Sequence, residues 1–358
     1  MRQGFVFSAA ALALALVACG KQDKTGGSTT TPASEELMKT ARGQFKVIPA
    51  SWKDIPGTTA TDDQIALGAM LYHDPRLSGS HALSCASCHN IGLGGGDDAS
   101  TSIGHKWQQG GRNAPTVLNA VFNTAQFWDG RAKDLYEQAG GPMVNPIEMN
   151  SPKEHVAEQL KSIPGYAPLF AKAFPGAGDP VSIENAQKAI AAFETTLITP
   201  NAPFDQYLNG KADALTADQK AGLKLFIGKG CAACHNGINV GGGMYAKFGV
   251  MEAPGDKYRP AGDKGREGVT HNVSDEFAFK VPTLRNITLT APYFHTGSVW
   301  DLSEAVRVMG KAQLGQQLSD DEVTKIVSFL GALQGDQPKV VVPILPASGP
   351  QTTRPVRN

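Results

Sequence analysis

Three things are missing from this chain: an excess of charge, a membrane-length apolar run in its body, and cysteine to spare. Basic and acidic residues each number 33, so the formal net charge is zero. That balance argues against a binder of nucleic acid or of an anionic membrane surface, which would carry a basic excess. Beyond the N-terminus no stretch reaches the roughly 18 apolar residues of a membrane span. There are 5 cysteines, and a disulfide framework would need pairs that are otherwise unaccounted for. Sustained strand-type alternation is absent too, so the expected class is mainly α. What the chain does have is turn formers, with 40 glycines and 23 prolines, which predict a loop-rich fold of short elements. Its length suits about two domains.

The N-terminus reads as a targeting signal. Arg2 precedes an apolar run from Phe5 to Val17, too short to cross a bilayer and suited to a secretory h-region. The run ends in Leu16-Val17-Ala18-Cys19, which resembles a bacterial lipobox, where the cysteine is lipidated after cleavage. A generic signal cleaved nearby is the alternative. Residues 1–19 are therefore expected to be a lipoprotein-type signal peptide, and residues 20–34 a flexible tether rich in Thr, Ser and Gly. Either signal exports the chain to the periplasm, and Cys19 offers a lipid anchor to the outer membrane.

The other four cysteines sit in Cys85-Ala-Ser-Cys88-His89 and Cys231-Ala-Ala-Cys234-His235. Both spell C-x-x-C-H, the attachment signature of c-type haem. The thiols add to the haem vinyl groups, and the adjacent imidazole becomes an axial iron ligand. A four-cysteine zinc site shares the C-x-x-C spelling. Histidine directly after each second cysteine, in an exported chain, favours two covalent haems.

The duplication extends beyond these motifs. Thr61-Asp-Asp-Gln64 and Thr216-Ala-Asp-Gln219 are capping boxes that open helices ahead of each motif. Gly68 to Tyr72 pairs with Gly222 to Phe226, and Pro115-Thr-Val-Leu-Asn119 with Pro282-Thr-Leu-Arg-Asn286. Without a gap, Phe127, Gly130, Asp134, Leu135 and Glu137 then fall on Phe294, Gly297, Asp301, Leu302 and Glu304. Two cytochrome c-like haem domains related by internal duplication are expected, over 35–199 and 200–338. Between the copies, Ser151-Pro-Lys-Glu154 reads as a capping box and Ser182 as a helix start. Another helix opens at Ser319. Residues 339–358 are expected to form an extended tail, because Pro343 and Pro346 forbid regular structure.

The ligand opposite each histidine decides what each haem does. In the second copy Met309 is the candidate, with Met244 and Met251 also downstream, and a plain core role is the alternative. The repeat places Pro142 where Met309 stands, although Met143, Glu148 and Met149 lie close in sequence. His105, in a glycine-containing loop, is another candidate ligand. His73, His81, His155 and His271 lack motif context and read as surface residues. An unequal pair of haems is expected, one for electron transfer and one reactive.

Here the resemblance becomes specific. Thr101-Ser-Ile-Gly-His105, Arg112-Asn-Ala-Pro-Thr-Val-Leu-Asn119, Ala125-Gln-Phe-Trp-Asp-Gly-Arg131 and Leu289-Thr-Ala-Pro-Tyr-Phe-His295 resemble the bacterial dihaem cytochrome c peroxidases. The similarity runs from about Gln64 to the last helix. It implies that His105 is the distal ligand of an N-terminal, low-potential haem and leaves when the partner haem is reduced. It implies that Met309 is the distal ligand of a C-terminal, high-potential haem. Trp128 matches a tryptophan between the haems, and Glu148 an acid/base residue over the peroxide site. Asn113, with the carbonyls of Thr290 and Pro292, matches a calcium site, and calcium's preference for oxygen fits. On their own residues, Trp128 could equally be core and Glu148 a charge at a helix start.

The implied activity is reduction of hydrogen peroxide to water. The electrons would come from a small c-type cytochrome or blue-copper protein, and the enzyme would be a homodimer. Two rivals stand beside it. A dihaem electron carrier would leave Glu148 without a role. A relative of the methylamine-dehydrogenase-maturing enzyme would oxidise a protein substrate, but that type has a tyrosine as a distal haem ligand.

Overall fold

The structure, a computed structural model, describes Met1 and residues 32–355. The expected signal peptide, Cys19 and most of the expected tether lie outside the described residues. The chain begins with helices α1 (Pro32–Gln44), α2 (Asp62–His73), α3 (Cys85–Cys88) and α4 (Leu135–Val144). Then come α5 (Lys153–Ser162), α6 (Tyr166–Ala173), α7 (Ile183–Thr195), α8 (Pro203–Leu208) and α9 (Ala217–Gly228). Strands β1 (Tyr245–Lys247) and β2 (Ala278–Lys280) flank α10 (Glu267–Thr270), and α11 (Leu302–Leu314) and α12 (Asp320–Gly331) end the helical part. The two strands pair antiparallel with Ala246 opposite Phe279. The fold is mainly helical, with long irregular connections.

Two hydrophobic cores organise these elements, and each rests on one crossed helix pair: α2 on α7, and α9 on α12. Capping boxes start three of the four, at Thr61/Gln64, Thr216/Gln219 and Ser319/Glu322. Glycine permits the crossings. A Cβ on Gly68 would lie 1.8 Å from the carbonyl oxygen of Ala189, and one on Gly222 would lie 1.9 Å from that of Lys325. Backbone approaches backbone at both points, and only glycine leaves room. The repeat continues where Asn119 and Asn286 take left-handed φ values of 60° and 59°. Both amides converge on Thr199, donating from Nδ2 to its Oγ1 at 2.7 and 2.9 Å. Thr199 thus joins the two copies.

The chain ends depart from the expected domain limits. The sequence places residues from 35 onward in the first domain, yet α1 packs in the second core through Met38 and Ala41, followed by Phe45. Phe45 meets Phe204 edge-on at 5.2 Å, and buried Arg285 donates to the carbonyl of Lys46 while pairing with Asp205 at 2.8 Å. At the other end, the extended tail returns to the first core. Val340 packs against it, and Thr352 Oγ1 donates to the carbonyl of Ser162 at 3.0 Å. Val341 and Ile344 remain 88% and 95% exposed, so this strap buries less than its composition suggests. Each terminus crosses to the other half.

Two local expectations also fail. The Ser151 box does not form: Ser151 N–H donates to the carbonyl of Met143, its Oγ is buried without a partner, and α5 starts at Lys153 with no side-chain cap. Of the four histidines read as surface, only His271 is exposed. His73 Nδ1 bonds the carbonyl of Ala69 at 2.8 Å, and His81 Nε2 is buried without a partner.

Candidate active site: two unequal cavities

Each C-x-x-C-H turn opens onto a cavity. The first, of ≈520 Å³, is lined by Cys85, Cys88 and His89 and reaches Glu148 on its far loop. The second, of ≈230 Å³, is lined by Cys231, Cys234, His235 and Met309. All four thiols are free. His235 is buried and His89 partly so. Burial lowers the His235 pKa to about 4, opposed by the carbonyls of Val240 and Pro282. His89 is lowered by the same cause, opposed by the carbonyl of Gly95, which lies 3.4 Å from its Nδ1, then by the charge of Asp97 and the carbonyl of Pro115. For His89 the Gly95 carbonyl is placed to take the Nδ1 proton and leave Nε2 for the metal, whereas His235 Nδ1 is buried without a hydrogen-bond partner. Paired thiols, an imidazole with a lowered pKa and a largely apolar chamber fit a covalently bound haem in each cavity.

The far walls differ. Met309 lines the second cavity, whereas its repeat counterpart Pro142 lines the first. Near Pro142 stands Glu148, which accepts from Asn145 Nδ2 at 2.6 Å. Burial raises its pKa, and the charge of Arg131 and the Asn145 hydrogen bond oppose that rise. Met149 also lines this cavity, and Met143 is buried in the first core. His105 is buried with Nδ1 unpartnered, but its ring is not part of the cavity wall; Ile103 and Gly104 are. Its backbone N–H donates to the carbonyl of Glu148 at 2.8 Å. Gly104 allows that approach, since a Cβ there would lie 1.9 Å from the carbonyl oxygen of Ile147. Lys106 and Trp107 follow at φ 54° and 65°, in the left-handed region that non-glycine residues seldom occupy.

Trp128 belongs to both cavities. Its indole Nε1 donates to the carbonyl of Asn113 at 2.9 Å, and its ring meets His295, its repeat counterpart, edge-on at 6.1 Å. His295 stacks on Phe279 at 4.2 Å. Asn113 lines both cavities, while Thr290 and Pro292 line the second. Asn113 Nδ2 donates to the carbonyl of Ala99 at 2.9 Å, which leaves Oδ1 as an acceptor.

Three features escaped sequence reasoning. Arg112 binds Asp263 through two hydrogen bonds of 2.6 and 2.7 Å and Asp129 through another of 2.6 Å, which ties the halves together beside Trp128. Lys280 lines the second cavity, where burial lowers its pKa to about 8. Glu194 lines the first cavity with burial raising its pKa to about 8. Glu194 was within reach of the sequence, because it follows Ile190 by four residues on the apolar stripe of α7.

Two crossed helix pairs, each contributing to the half that holds a thiol–imidazole cavity, define a duplicated dihaem c-type cytochrome. A profile described as Di-haem cytochrome c peroxidase matches residues 62–213, and one described as Cytochrome c matches 219–334. The chain belongs to the dihaem cytochrome c peroxidase family. It is 54% identical to the cytochrome c551 peroxidase of Pseudomonas aeruginosa, over 92% of this chain and 95% of that one. It is 52% identical to the cytochrome c551 peroxidase of Nitrosomonas europaea, over 83% and 87%. The methylamine utilization protein MauG of Methylorubrum extorquens is more distant, at 34% over 94% and 97%. A solved MauG-like protein associated with microbial copper homeostasis matches with a TM-score of 0.69 at 26% identity, covering 86% of this chain and 97% of that one.

Proposed function

We propose that this chain is a periplasmic peroxidase that reduces hydrogen peroxide to two waters. Two electrons come from a small c-type cytochrome or blue-copper protein. The carrying observation is the inequality of the cavities: Met309 lines the cavity of His235, whereas its counterpart Pro142 and the half-buried Glu148 line that of His89. A pure electron carrier would have no use for that carboxyl.

Cys85 and Cys88 hold the first haem and His89 is its fixed ligand; Cys231, Cys234 and His235, with Met309, hold the second. When bound, the first haem supplies the iron at which peroxide is cleaved, and the second stores an electron. The domain over 35–199, without the crossing α1, is peroxidatic and of low potential, and 200–338 is the electron-transfer half. His105 is the displaceable ligand, released by rearrangement of its loop. The left-handed Lys106 and Trp107 support a loop able to rearrange, which two hydrogen bonds, His105 N–H to the Glu148 carbonyl and Gln108 Nε2 to the Pro146 carbonyl, hold to its neighbour. Glu148 takes a proton from the near oxygen of peroxide and returns it to the far one, so that water departs. Its burial favours the protonated form and brings its pKa towards the working range. Trp128, on the wall common to both cavities, carries electrons between them.

Calcium at Asn113 Oδ1 and the carbonyls of Thr290 and Pro292 would brace this wall. A homodimer and a lipid anchor at Cys19 complete the reading. The test is Glu148→Gln: both haem absorption signatures should persist while most peroxide turnover is lost, and near-normal turnover would remove its acid/base role.

A further inference from the structure

The internal repeat supplies its own control. Gly68 meets the carbonyl of Ala189 and the Cβ of Phe193, as Gly222 meets the carbonyl of Lys325 and the Cβ of Phe329. This fixes the correspondence of α7 with α12. The next residue is Glu194 in the first copy and Leu330 in the second, and each lines the cavity of its own half. Ile190 and Ile326, one turn earlier, do the same. One pocket therefore has a carboxyl where the other has a leucine.

Glu194 is 5% exposed, its Oε2 is buried without a hydrogen-bond partner, and it forms no ion pair among the described residues. Burial alone raises its pKa, to about 8. An unpartnered buried carboxyl costs stability that leucine would not, so packing does not explain it. Of the ionisable groups on the packed elements, Tyr72 of α2 and Cys85 of α3 face it. Tyr72 is raised well above the ordinary phenol range and stays neutral, and Cys85 loses its proton to thioether formation. From α4 the uncharged Gln138 lines the cavity. The other ionisable groups on the wall are Cys88, His89, Arg112, Asp129, Arg131 and Glu148, and none contributes to the Glu194 shift.

We propose that Glu194 is a redox-linked proton site of the first haem pocket, protonated when that haem is reduced and deprotonated when it is oxidised. One electron from the donor converts ferric to ferrous iron, one proton from solvent converts carboxylate to carboxylic acid, and the pocket's net charge is unchanged. In a low-dielectric chamber, losing one positive charge at iron removes the attraction that kept the carboxylate ionised. The inference rests on haem attachment at Cys85–His89, not on the peroxidase reading.

The experiment is a potentiometric titration of each haem against pH in the holoprotein, with Glu194→Leu and the near-isosteric Glu194→Gln. In the wild type the first haem's potential should fall as pH rises, approaching about 59 mV per unit, the one-electron equivalent of a tenfold change in proton binding. In both variants that dependence should vanish, with the second haem unaffected. A reduced-minus-oxidised infrared spectrum should gain a protonated-carboxyl band in the wild type alone. A slope that persists in Glu194→Gln, or a wild-type spectrum with no such band, would overturn the proposal. Absorption at two-haem intensity separates this outcome from a failure of haem attachment.

Discussion

At the scale of single residues, chemistry concentrates on Glu148 and His105. Burial holds the Glu148 carboxyl above the ordinary range, and only its ionised form accepts a proton. Turnover should therefore rise as pH climbs through that raised pKa. Glu148→Gln should lose this limb together with about 10²–10⁴-fold in rate, the usual contribution of a positioned acid/base; steady-state kinetics against pH check both. His105→Gly should give an enzyme that consumes peroxide in its fully oxidised state, because no side chain remains to block the iron. Stopped-flow mixing of the oxidised variant with peroxide decides this, and an absolute need for prior reduction would remove His105 from the gate. The two residues share the bond from His105 N–H to the Glu148 carbonyl, so loop and acid/base group are mechanically linked.

At the scale of elements, the crossed helix pairs hold the cavities in shape. Gly68→Ala would place a methyl group 1.8 Å from a backbone carbonyl oxygen. Helices must part, and overpacking of this kind costs on the order of 1–3 kcal/mol. A thermal melt followed in the haem absorption band should show a midpoint several degrees lower, whereas an unchanged midpoint would mean that α2 and α7 do not meet there. The glycines, capping boxes and duplicated motifs were legible in the sequence because each is a local signal at fixed spacing. The crossing of α1 and of the tail was not, since contacts between Phe45 and Phe204, or Thr352 and Ser162, join residues far apart in the chain. The Ser151 box misled for a related reason: its backbone N–H was recruited by Met143, and a capping pattern competes with whatever the surrounding turn demands. Likewise Arg112, Asp129 and Asp263 come from three separate loops.

At the scale of the whole molecule, duplication creates two similar pockets and substitution makes them unequal. Pro142 for Met309, Trp128 for His295 and Glu194 for Leu330 are the exchanges that matter, and all three fall on cavity walls. Thr199 and the Arg112 ion pairs hold the halves in fixed relation, and Trp128 lies on the wall that both cavities share. This inequality is what separates a peroxidase from a plain electron carrier. The most direct test is the absorption and spin-resonance spectrum of the holoprotein carrying one added electron, in calcium-containing buffer, before and after peroxide. The account predicts a low-spin ferrous second haem beside a high-spin ferric first haem that reacts at once with peroxide. A wholly low-spin spectrum that peroxide leaves unchanged would contradict it and make the protein an electron carrier.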